Sequence, residues 1–101
     1  MKFMTFVMSD STKWAEVSQA ADKNSKVPGQ KMLASYLCLG KPFDGMPPNS
    51  TVAISIREAE NAEALAAALY NLAATGASVW AVPIMDMAVG NTVAEIKKLQ
   101  K

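Results

Sequence analysis

The order in which strand-like and helix-like segments follow one another limits the possible folds of this chain more than any other feature. Residues 51–57 alternate branched apolar with small or polar side chains, a period of two that is typical of a strand. Asn61 is suited to cap a helix whose apolar residues recur every three or four positions until Gly76. The same criteria predict five further elements: strands at 2–8, 31–39 and 77–85, a first helix ending near Lys23, and a terminal helix at 91–100.

This order, βαββαβ followed by a helix, predicts an α+β fold of the ferredoxin-like split βαβ type. Right-handed crossovers then give a four-stranded antiparallel sheet in the order 4-1-3-2, with two helices on one face. Pro83 cannot donate a ladder hydrogen bond, which suits the edge position that this topology assigns to the fourth strand. A length of 101 residues leaves room for one core, so residues 1–101 are expected to form a single domain.

Both faces of the predicted sheet carry large apolar side chains. In the first strand Phe3 and Val7 occupy one phase and Met4 and Phe6 the other, and the second and fourth strands are similar. Two helices can cover only one face, and the other would expose more apolar area than a soluble monomer usually tolerates. We therefore expect a homodimer joined through the open face. A monomer covered by the terminal helix and the loop 40–50 is the alternative.

The absence of histidine excludes most of the common catalytic chemistry. No Ser-His or Cys-His pair and no histidine ligand to zinc or heme can form within the chain, so we expect no metal and no cofactor. Cys38 is the single cysteine, which favours a cytoplasmic location. Ten basic and nine acidic side chains, with no run of like charge, predict no nucleic-acid partner and no membrane partner.

Arg57 is the only arginine and the strongest candidate for ligand binding. We expect Val52, Ile54 and Ile56 to face the helices, which would turn Arg57 towards the open face and a space between paired sheets. A guanidinium there could hold a carboxylate or a phosphate. An ion pair with Glu58, with Glu60 or with an acid of the second subunit is the structural alternative.

The remaining polar and aromatic strand residues complete a candidate ligand site. Two aromatic rings and two hydroxyl groups beside one cation would suit a small aromatic acid or a quinone-like molecule, although packing in a dimer core explains the aromatic residues equally well. The loop 40–50 could serve as a lid. The ligand-binding candidates are Arg57, Tyr36, Trp80, Thr5 and Ser55, and the weak catalytic candidates are Asp86 and Tyr36.

Four segments resemble a family of bacterial and archaeal domains of about this length and of no assigned function: Lys2-Phe3-Met4, residues 29–33, residues 58–65 and residues 82–84. That family is similar to the dimeric α+β barrel superfamily, and the resemblance implies two ferredoxin-like sheets packed face to face around a shared lumen. The superfamily includes heme-dependent and cofactor-free oxygenases and isomerases, whose chemistry does not follow from the fold. Two departures are a longer loop before the third strand and Ala62, where a proline often follows the cap.

Three functions remain open on this basis. The first is a homodimeric module that binds a small apolar or aromatic anion between the paired sheets. The second is a cofactor-free oxygenase or isomerase, in which apolar walls exclude water and Asp86 or Tyr36 serves as acid or base. The third is an assembly protein whose open sheet face is only an interface.

Overall fold

The computed structural model describes residues 1–24, 26–87 and 92–100, so Asn91, the predicted start of the terminal helix, lies outside the described residues. Within these ranges, no helix combines the length and the apolarity that crossing a membrane would require. The elements follow the predicted order: β1 Lys2–Asp10, α1 Trp14–Asn24, β2 Gln30–Leu37, β3 Ser50–Ala59, α2 Ala62–Ala74, β4 Ser78–Ile84 and α3 Thr92–Leu99.

The four strands form one antiparallel sheet in the order β2-β3-β1-β4, which confirms the predicted topology. The central strand β1 pairs with β3 on one side, where Thr5 lies opposite Ser55. It pairs with β4 on the other side, where Phe6 lies opposite Trp80. Pro83 therefore lies on an edge strand. Its missing N–H group leaves the hydrogen bonds between the central strands intact.

Local hydrogen bonds explain where the helices begin and end. The side chain of Asn61 accepts a 2.8 Å hydrogen bond from the backbone N–H of Ala64, the bond predicted for a helix cap. Gly76 follows α2 with a φ of 89°, the left-handed conformation that favours glycine. Asp10 accepts hydrogen bonds from the backbone and hydroxyl of Thr12, which lower the pKa of its carboxyl and start a 3-10 turn before α1.

The core lies between the two helices and one face of the sheet. Val7 of β1, Val17 and Ala20 of α1, and Leu72 of α2 are all buried and form one cluster. We call the sheet face that carries Val7 the helix side and the opposite face the open face.

The expected orientation of β3 is wrong. Ala53 lies opposite Val7, so Ser55 and Arg57, in the same phase, are on the helix side. The branched residues Val52, Ile54 and Ile56 lie opposite Met8, Phe6 and Met4, on the open face. The physical reason is steric: the helix side of the two central strands consists mostly of small residues, which let the helices approach closely, namely Thr5, Ser9, Ala53 and Ser55.

The loop between β2 and β3 covers part of the open face. Phe43 from this loop lies with its ring centre 5.7 Å from that of Phe6 and 6.0 Å from that of Trp80. Phe6 and Trp80 stack at 5.1 Å with an interplanar angle of 9°. Val52 on the same face is only 1% exposed. Phe43 therefore covers the part of the open face around Phe6 and Trp80.

Candidate functional site

A cavity of about 280 Å³ lies between α1 and the helix side of the sheet. Its inner wall contains the buried core residues Val7, Val17 and Leu72, and Trp14 adds an aromatic surface. Its outer wall is the edge strand β2, through Met32, Ser35, Tyr36 and Leu37. The volume is at the lower end of the range found for small-molecule sites, and the lining is mostly apolar, as in such sites.

Among the described residues, Arg57 is the one charged side chain in the wall of this cavity, and it is only 2% exposed. Burial lowers the pKa of its guanidinium, which stays protonated because arginine does not lose its proton in proteins. Within the described residues, Arg57 makes no ion pair. The salt bridge found there joins Lys2 to Asp86. Neither Glu58 nor Glu60 neutralises it. A buried cation without a counter-ion is costly, and an anion entering the cavity would supply one.

Two neutral side chains fix the orientation of the guanidinium. Its Nε donates to Oγ of Ser55 at 3.3 Å, and its Nη1 donates to Oε1 of Gln30 at 2.9 Å. Ser55 in turn is held by the hydroxyl of Thr5, which also donates to the Ser55 backbone oxygen at 3.3 Å. These bonds use only part of the five N–H donors of a guanidinium. The rest of the planar fork can serve a carboxylate or a phosphate.

The amide of Gln30 links Arg57 to the end of α1. Its Nε2 donates to the backbone oxygens of Asn24 and Val27 at 3.0 and 3.1 Å. The side chain of Asn24, fully buried at the same end of α1, has no hydrogen-bond partner for either of its polar atoms within the described residues. Polar groups are thus concentrated where α1 ends, beside Gln30 of β2 and Arg57 of β3.

The structure brings together three of the five predicted ligand-binding residues. Arg57 and Ser55 line the cavity, and Thr5 hydrogen-bonds to Ser55 directly behind it. Tyr36 borders the cavity from β2, but it lies opposite Ile54, on the open face, and is 61% exposed. Arg57 and Tyr36 therefore lie on opposite faces of the sheet, contrary to the sequence-based expectation that both face the open side.

The other two candidates lie apart from the cavity. Trp80 is on the open face, stacked on Phe6, so it does not share a site with Arg57. Asp86 accepts a 2.8 Å hydrogen bond from Nζ of Lys2, and its side chain is 88% exposed. This bond raises the pKa of Lys2. Asp86 is thus engaged on the surface and is not part of the cavity lining.

Sequence reasoning missed three residues of the site. Trp14 fits the apolar side of the first helix, so its type and spacing alone do not indicate a cavity. Gln30 and Asn24 gave no sequence signal, because an amide acquires its role only from the partners that the fold supplies.

Comparison with known proteins supports the fold. No family model matches the sequence, and no curated protein matches it. Among solved structures, SnoaB, a cofactor-independent oxygenase from Streptomyces nogalater, has a similar structure with a TM-score of 0.50. The similarity covers 86% of this chain and 97% of that chain at 16% sequence identity. At this identity the likeness shows the fold alone and nothing about activity.

Proposed function

We propose that this protein binds a small apolar or aromatic anion in the cavity beneath α1, with Arg57 as the anchor. The observation that carries the proposal is a buried arginine that has no acidic partner among the described residues and that lines a mostly apolar cavity. The proposed site differs from the one expected from the sequence, because it lies within each subunit on the helix side rather than between paired sheets.

The chemistry of the cavity favours a carboxylate attached to a compact apolar body. A carboxylate can accept two parallel hydrogen bonds from a guanidinium, which is the strong form of this interaction. Walls formed by Val7, Val17 and Leu72 would bury the apolar part of the ligand, with about 25 cal/mol gained for each Å² removed from water. A volume of about 280 Å³ favours acids with one ring or a short branched chain.

Entry to the cavity is proposed between α1 and the edge strand β2. Ser35 and Leu37 of β2 line the cavity and are exposed, and Leu37 is 53% exposed. Ser18 on α1 is exposed on the opposite side of the opening. The loop that contains Phe43 lies on the open face and does not line the cavity, so its proposed role is to cover the sheet.

The homodimer joined through the open face remains part of the proposal. Trp80 and Val82 on that face are 37% and 45% exposed although both are large and apolar. A second copy with C2 symmetry would cover both subunits at once. We also retain the cytoplasmic location, on the basis of the single cysteine.

Ser55→Asp tests the anchoring role of Arg57 by giving it an internal counter-ion. The new carboxylate would lie next to Nε of Arg57, which now bonds to Ser55, and would accept from Thr5 as well. We expect the affinity for benzoate or phenylacetate, measured by isothermal titration calorimetry, to fall at least about 10-fold, a change of about 1.4 kcal/mol. The exposed residue Ser78 offers a matched control, and Ser78→Asp should leave the affinity unchanged. Equal affinities in both variants would remove Arg57 from the site.

A cofactor-free oxygenase or isomerase is the second candidate function. The structural likeness to a cofactor-independent oxygenase favours it, and the absence of histidine is compatible with it. Tyr36 at the border of the cavity is the proposed acid or base, whereas Asp86 is engaged with Lys2. The test is oxygen consumption with a bound aromatic acid or phenol, which should be lost in Tyr36→Phe and retained in Asp86→Asn.

An assembly protein without a ligand is the third possibility. It requires only that the open face bind another subunit, and it leaves the cavity without a role. Calorimetry that detects no binding of any small organic acid, together with a dimeric mass in solution, would favour it over the other two.

A further inference from the structure

Two apolar surfaces of this chain are only partly covered within a single copy. The first is a row across the open face, two positions along the strands from Phe6 and Trp80, the rings that lie beside Phe43. Ile56 lies opposite Ala34 on one side and Met4 on the other, and Met4 lies opposite Val82. Val82 is 45% exposed and the other three are partly exposed. We call this row the lower open face.

The second surface is one side of α3. Val93, Ile96 and Leu99 recur at three-residue spacing and are 64%, 40% and 79% exposed. We call them the α3 stripe. An isolated helix of 8 residues is only marginally formed in water, because nucleation costs more than a few turns return. This helix therefore needs an apolar surface on which to pack.

The chain leaves β4 beside the open face, and α3 begins at Thr92, eight residues after Ile84. Lys2 is in the same phase as Met4, on the open face, and it lies opposite Ile84 at the end of β4. The ion pair from Asp86 to Lys2, at 2.8 Å, keeps the chain beside that face as it leaves β4. The molecule nevertheless has a radius of gyration of 15.4 Å, above the roughly 13 Å of a compact domain of about 100 residues. Val93, Ile96 and Leu99 stay between 40% and 79% exposed, and within the described residues α3 has no extensive contact with any strand of its own copy.

We propose that two copies exchange these surfaces: the α3 stripe of each copy packs on the lower open face of the other. A helix stripe and a row of sheet residues on the same chain are complementary, and C2 symmetry makes the contact twice. Making the contact twice doubles the buried area. A stable interface buries about 1,200 Å² of accessible surface in total, and one helix on one row of sheet residues buries less. The inference rests on the proposed homodimer and is independent of the proposed ligand.

Disulfide trapping between two different single-cysteine proteins tests the exchange. Val82→Cys and Ile96→Cys are each made in a Cys38→Ser background, mixed and oxidised, and the products are separated without reductant. We expect a covalent dimer in the mixture, in at least 5-fold excess over either protein alone. Ala94→Cys, an exposed position on α3 outside the stripe, should give no such excess when it replaces Ile96→Cys.

Three other outcomes would overturn the exchange, and the last of them would overturn the homodimer as well. A dimeric mass by light scattering without a mixed disulfide would overturn the exchange and retain the homodimer. A protein with both cysteines that forms an internal disulfide as a monomer would show that α3 packs on its own sheet. A monomeric mass at micromolar concentration would overturn both the exchange and the homodimer. As a second measurement, Ile96→Asp should give monomers, whereas Ala94→Asp should remain dimeric.

Discussion

Arg57→Met is expected to lose anion binding almost entirely while the fold remains at least as stable as the wild type. Arg57 is 2% exposed and has no ion pair within the described residues, so burying its charge is a cost to folding that no acidic side chain there offsets. Methionine fills a similar space without a charge, and replacing buried charges with apolar residues is often neutral or stabilising. Losing a buried charged contact costs about 2 kcal/mol or more in binding, so the affinity for benzoate should fall at least about 30-fold.

This pair of results separates a ligand-binding arginine from a structural one. The hydrogen bonds to Gln30 and Ser55 are the structural contribution that Arg57 makes, and we expect their loss to be offset by removal of the buried charge. If urea denaturation shows Arg57→Met to be more than about 3 kcal/mol less stable than the wild type, the arginine serves the fold and the proposed function loses its basis. Arg57→Lys keeps the charge without the planar fork and should bind with intermediate affinity.

Leu72→Ala is expected to have the largest effect on stability. Leu72 is 2% exposed, belongs to the core cluster with Val7 and Val17, and also lines the cavity. Removing a buried leucine side chain costs about 2–5 kcal/mol, which in a domain of this size lowers the melting temperature by roughly 10–25 °C. The cavity would also become larger, so the variant should favour bulkier acids, such as naphthoate, relative to benzoate.

Tyr70→Ala is the matched control for this effect. Tyr70 is on the same helix but is 71% exposed, and its removal should change stability by no more than about 0.5 kcal/mol. Thermal and urea unfolding of the two variants measure the difference. A loss of less than about 1 kcal/mol in Leu72→Ala would mean that α2 does not pack against the cavity as described.

The sequence was sufficient to predict the order and the pairing of the elements. The cap at Asn61, the stop at Gly76 and the edge position of Pro83 depend on local chemistry that each residue carries with it. The orientation of β3 could not be obtained in this way. A period of two separates the faces of a strand but does not show which face the helices cover. The helices pack on the face with small residues, and the larger Ile54 and Ile56 remain on the other.

The face on which Tyr36 lies depends on one irregularity in β2 that no sequence pattern predicts. Regular alternation along β2 would put Tyr36 on the same face as Met32, which lies opposite Arg57. A bulge between Met32 and Ala34 adds one residue, so Tyr36 lies opposite Ile54, on the open face. Thr5 and Ser55 were grouped correctly with Arg57 because the pairing of β1 with β3 has no such bulge.

Fluorescence of Trp14 tests the central claim most directly. The chain has two tryptophans, and Trp14 lines the cavity whereas Trp80 lies on the open face. In Trp80→Phe the remaining signal therefore reports on the cavity alone. Titration with benzoate and its larger analogues should change this fluorescence saturably, and the change should disappear when Arg57→Met is added. A fluorescence that does not respond to any of these acids, or a response that persists without Arg57, would contradict the account.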